Sequence, residues 1–66
     1  MRYEQFRDLV RNELRVRKGE TTWTVLKARL RLPQRTPCYT WIYRLEKEIG
    51  LRRTRGPRGM VWYLAG

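Results

Sequence analysis

The sequence predicts a mainly α chain closed by a small β-hairpin, an α+β fold of three helices and a C-terminal pair of strands. Three observations predict it. Apolar residues recur at helical spacing from Tyr3 to Leu14 and again from Cys38 to Ile49. A short apolar segment, Val25 to Leu30, stops before Pro33. After Leu51 the pattern changes, and Gly56-Pro57-Arg58-Gly59 separates two runs that read as strands. Sixty-six residues make one domain, taken as 1–66. A chain this short buries only ~60% of its unfolded surface, so its core must pack efficiently. The material is present: 41% of the residues are hydrophobic, with 3 Trp, 4 Tyr and 1 Phe, too apolar for a disordered basic tail.

The first helix is expected from Tyr3 to about Arg17. Tyr3, Phe6, Val10 and Leu14 form its apolar stripe, with Leu9 and Val16 widening it. Glu4 and Asp8 suit its N-terminus, Lys18 its last turn, and Gly19 the position just past the end. Thr21-Thr22-Trp23 reads as extended. A second helix starts near Thr24 as N-cap and ends before Pro33, because the residue preceding proline disfavours the α region. Thr36-Pro37 reads as N-cap and first helical residue of a third helix running to about Ile49, with Gly50 as its terminating glycine. Its stripe is Cys38, Ile42, Leu45 and Ile49; Trp41 lies off the stripe and is expected to pack on the first helix or the hairpin. Leu51 to Arg55 and Met60 to Leu64 are the strands, and Gly56 and Gly59 supply the special backbone angles of the turn.

With that order of elements the chain resembles the winged helix-turn-helix family of DNA-binding domains. Leu26-Lys27-Ala28-Arg29-Leu30-Arg31-Leu32-Pro33 looks like the family's second helix and turn. Thr36 through Glu46 looks like its third helix, and Ile49-Gly50-Leu51 followed by basic residues looks like the start of its wing. Two features depart from the pattern: Arg31 stands where a glycine is common in the turn, and Pro33 to Thr36 is about one residue longer than usual. The resemblance implies that the third helix lies in the major groove of double-stranded DNA. Arg35, Thr36, Tyr39, Thr40, Tyr43 and Lys47 would then face base edges and phosphates. The plain alternative is a solvated helix face, for which two Tyr and two Thr are a poor choice.

Charge points the same way. There are 13 Arg and 3 Lys against 6 acids, a net charge of +10. Between Thr21 and Leu45, and again from Leu51 onward, there is no acid. Two unopposed basic segments make a field that attracts a polyanion, and nucleic acid is the commonest one. Arg55 and Arg58 flank a narrow Gly-Pro tip, with Arg52 and Arg53 behind them. These four are expected on the adjacent minor groove or on the backbone; the alternative is a turn charged to protect a sheet edge. The first helix interleaves its arginines with acids and reads as solvated, with Glu13 and Arg17 as an i,i+4 pair. Arg44 borders the apolar side and can pair with Glu48.

Catalysis is not expected. The chain has no His, no carboxylate pair in a cleft and no Gly-rich phosphate loop leading from strand to helix. Cys38, the lone cysteine, is expected to be a small core residue and not a metal ligand. No cofactor, metal or membrane partner is expected, and with no signal-like or membrane-spanning run the chain is placed inside the cell, in cytoplasm or nucleoid. The functional expectation is a sequence-selective double-stranded DNA binder acting in transcription regulation. The alternatives are a module that binds structured RNA or a ribonucleoprotein, and a protein-interaction module. A homodimer reading two half-sites stays open, although no spare helix is evident for it.

Overall fold

The computed structural model describes residues 1–16 and 21–65. Among them are three helices, α1 (Tyr3–Val16), α2 (Trp23–Leu30) and α3 (Tyr39–Glu48), and three strands, β1 (Thr21–Thr22), β2 (Leu51–Gly56) and β3 (Gly59–Leu64). The strands form one antiparallel sheet in the order β1-β3-β2. None of these helices is long and apolar enough to cross a membrane.

The α1 stripe is as the spacing predicts: Tyr3, Phe6, Val10 and Leu14 are all buried. Val16, the last residue of α1, does not widen it and is 80% exposed. Gly19, Lys18 and Arg17 lie outside the described residues. The start of α2 differs from expectation. Thr22 is the N-cap, its hydroxyl accepting from Val25 N–H at 3.4 Å, while Thr24 is exposed inside the first turn. Thr22 is also the last residue of β1, and its extended backbone (φ −99°, ψ 166°) suits both roles, so strand and helix abut with no linker. Helix α2 ends on Arg31, which takes the left-handed conformation (φ 53°, ψ 47°) and donates its N–H to the Lys27 carbonyl. This is the glycine-like position singled out in the turn, and here an arginine bears its conformational cost.

Helix α3 also starts later than expected. Its N-cap is Cys38, which closes no side-chain cap bond, and Thr36-Pro37 lies outside the helix. A tertiary contact outweighs the local preference there: Trp23 Nε1 donates to the Arg35 carbonyl at 3.1 Å and ties the connection down to α2. Cys38 is exposed and takes no part in the core, because an N-cap position points away from the stripe that Ile42 and Leu45 make. Gly50 follows the helix at φ +74°, as its terminating role requires.

The hairpin register runs Leu51↔Leu64, Arg53↔Trp62, Arg55↔Met60 on one face and Arg52↔Tyr63, Thr54↔Val61 on the other. Proline at the first turn position holds φ negative, so the left-handed residue falls later, on Gly59 at φ +121°. Gly56 is needed for a different reason than expected. Its φ is not positive, but a Cβ there would stand 2.9 Å from Val61 Cγ2.

The core lies between the helices and the Leu51–Trp62 face of the sheet and draws on every helix, joining Leu26, Leu32, Ile42, Leu45, Leu51 and Trp62 to the α1 stripe. A row of rings crosses it. Tyr3 and Phe6 meet Trp41 at centroid distances of 5.6 and 5.0 Å, Phe6 meets Trp23 at 6.4 Å, and Trp23 meets Trp62 at 5.5 Å. Trp41 thus packs on α1, as its place off the stripe predicts.

Candidate nucleic-acid interface

Ion pairs join α1 to the other two helices. Arg7 of α1 donates to Glu48 of α3 at 2.9 Å and to Asp8 at 3.1 Å, and Arg44 reaches the same Glu48 at 3.2 Å. The Arg44 guanidinium also lies 3.8 Å from the centroid of the Tyr3 ring. Arg29 of α2 pairs with Glu13 of α1. Glu13 was expected to pair with Arg17, which lies outside the described residues. The first helix is therefore less a solvated face than a clasp that holds α2 and α3. Arg7 is half-buried within it.

This clasp titrates. The Arg7 hydrogen bond, followed by Arg44, holds the Glu48 carboxyl below the ordinary glutamate range. Burial, then the Glu48 charge, pushes the Tyr3 hydroxyl up. A depressed carboxyl contributes stability above its unfolded pKa and loses it as pH falls through the folded value. The melting temperature should therefore drop on acidification just below the ordinary glutamate range, and Glu48→Gln should make that acid limb shallower. Parallel melting curves of parent and variant would contradict this.

The expected site cations stand apart from these pairs. Among the described residues, Arg35, Lys47, Arg52, Arg53, Arg55 and Arg58 make no ion pair. Arg35 stands in the α2–α3 connection, exposed, with its carbonyl held by Trp23. Tyr39, Tyr43 and Lys47 follow at intervals of one helical turn on α3; Tyr39 and Tyr43 are 69% and 61% exposed. Thr40 is exposed on the first turn. Family models, curated proteins and solved structures were all compared, and none matches this chain. The site rests on its own geometry.

That geometry brings three of the ten expected residues together. A cleft of about 450 Å³ separates the α2–α3 connection from the hairpin. Thr36, Pro37 and Tyr39 line it on one side and Arg53 and Met60 on the other, with Trp23 and Trp62 between. Arg55 shares the Arg53 face nearer the tip, and Arg58 occupies the turn itself. Arg52 alternates onto the opposite face with Tyr63 and does not share the cleft. Sequence reasoning missed Met60, Pro37, Trp23 and Trp62 as parts of this surface. The indoles carried a signal, since Trp23 and Trp62 each neighbour a predicted break or strand; Met60 carried none. It also missed Cys38 as a surface group. The N–H groups at the start of α3, that of Trp41 foremost, lie near its thiol and draw it below the usual value, although none is close or straight enough to close a cap hydrogen bond.

Proposed function

We propose that the protein binds double-stranded DNA as a winged helix-turn-helix module, with α3 in the major groove and the β2–β3 hairpin on the adjacent minor groove or backbone, and that it is a sequence-selective regulator of transcription. The observation that carries this reading is the set of unpaired cations on α3, its preceding connection and the hairpin. Ion pairs tie up Arg7, Arg29 and Arg44 where α1 meets α2 and α3, while Arg35, Lys47, Arg52, Arg53, Arg55 and Arg58 make none among the described residues and face no nearby acid in sequence but Glu46 and Glu48. The exposed Tyr39–Tyr43–Lys47 row supports it, since a merely solvated face gains nothing from two tyrosines.

Competition among duplex DNA, duplex RNA and single strands tests the partner: duplex DNA should win. Preference for duplex RNA would move the reading to a structured-RNA module, and failure to bind any of them would leave a protein-interaction module. Selectivity is tested on α3. Arg35→Ala, Tyr39→Ala and Tyr43→Ala should each cost ~1–3 kcal/mol on a preferred site and less on random DNA. Equal losses on both would make that residue a phosphate contact. At the tip, Arg55→Ala and Arg58→Ala should leave stability within about 0.5 kcal/mol, as both are exposed and unpaired. DNA affinity should nevertheless fall, measured by titration beside thermal melts. A tip variant that melts early and binds normally would mean the hairpin serves the fold alone.

A further inference from the structure

We propose that the cleft between the α2–α3 connection and the hairpin holds one unpaired nucleobase, so that duplex DNA ending in a single-stranded overhang is a better partner than a continuous duplex. The inference rests on the DNA-binding reading and narrows it.

Three features of the cleft point to this occupant. Its volume, about 450 Å³, falls in the range of small-ligand sites and admits a planar heterocycle. Its lining offers flat or flexible apolar groups from both walls, Pro37 and Tyr39 on one and Met60 on the other, with half-buried Trp23 between them, backed by buried Trp62. Such surfaces take the faces of a base, and in a duplex those faces are covered by stacking; only an unpaired base presents them. The third feature is Arg53. Its Nε is buried without a hydrogen-bond partner, and its guanidinium lies 5.9 Å from the Trp62 ring centroid. Arg53 is half-buried on the cleft wall and makes no ion pair among the described residues, so its guanidinium is available to donate to an acceptor brought there. Nucleobases carry ring-nitrogen and carbonyl acceptors on their edges, whereas an aliphatic ligand brings none. Position completes the argument: the cleft lies between the start of α3 and the basic strand β2, where a strand held by Arg55 and Arg58 would pass.

Fluorescence anisotropy with three DNA hairpins tests the proposal: one blunt, one carrying a short thymidine overhang on either end of the strand, and one carrying the same overhang with abasic sugars. The thymidine overhang should bind roughly tenfold tighter than the blunt hairpin, the abasic one no tighter than blunt. Arg53→Met and Tyr39→Ala should erase most of that advantage. Tyr39 is 69% exposed, so its variant keeps the result readable even if Arg53→Met disturbs the sheet. Equal affinity for blunt and thymidine-tailed DNA, or for thymidine and abasic tails, overturns the base site while leaving duplex binding intact. No binding to any of the three overturns both readings.

Discussion

Raising monovalent salt from 50 to 200 mM should weaken binding to duplex DNA by roughly several hundredfold. The expectation follows from counting. Six cations of the proposed surface, Arg35, Lys47, Arg52, Arg53, Arg55 and Arg58, stand outside every ion pair among the described residues. If about five of them neutralise phosphates, each releases condensed counterions, and log K falls with log[salt] at a slope of about −4 to −5. The paired arginines set the control. Arg7, Arg29 and Arg44 already have carboxylate partners, so Arg29→Ala should leave the slope nearly unchanged even where it lowers stability. Arg55→Ala should flatten it by about one unit. A slope near zero for the parent would sink the nucleic-acid reading as a whole.

Trp62→Ala should remove a large share of the protein's stability. Trp62 is 1% exposed, the largest fully buried side chain among the described residues, and it packs against Trp23. Truncating a buried aromatic to alanine costs ~3–5 kcal/mol, through lost transfer energy and the cavity left behind. At ~0.05–0.15 kcal/mol per residue a chain of 66 residues holds roughly 3–10 kcal/mol in total, so the loss takes about a third of it or more. Circular dichroism with urea titration would show the loss, and a variant melting within a few degrees of the parent would mean that Trp62 is not a keystone of the core. Tyr43→Ala makes the contrast: its ring is 61% exposed, and the melt should barely move.

Much of this fold was legible because periodicity reports burial directly. The α1 stripe, the Ile42 and Leu45 pair, the Gly50 terminus and the two strands all follow from spacing and turn chemistry. What escaped are features decided by contacts distant in sequence. Thr36-Pro37 has every local mark of a helix start, yet the Trp23–Arg35 bond, twelve residues apart in the chain, holds that segment outside α3. Thr22 and Thr24 are equivalent as caps by composition; only the pairing of Thr22 with Val61 of β3 separates them. The ten expected site residues all fall on α3, its connection or β2 and its turn, but nothing in the sequence said that Thr36, Tyr39 and Arg53 would share a cleft. That depends on how far the hairpin leans toward α3, which no short motif encodes.

The strand order has a colloidal consequence. Because β3 lies in the middle and β1 is two residues long, β2 keeps one side of its backbone unbonded along its six residues, among those described. A free edge of this kind invites a second copy to pair with it, and Arg52, Arg53 and Arg55 are what repels that copy. The repulsion lasts only while those charges are unscreened. A short anionic polymer that neutralises them without covering the edge removes the deterrent, as does concentrated salt. The same three side chains thus set how the protein meets a polyanion and how it behaves beside its own copies, and a variant relieved of them would trade ligand affinity for a tendency to fibrous assembly.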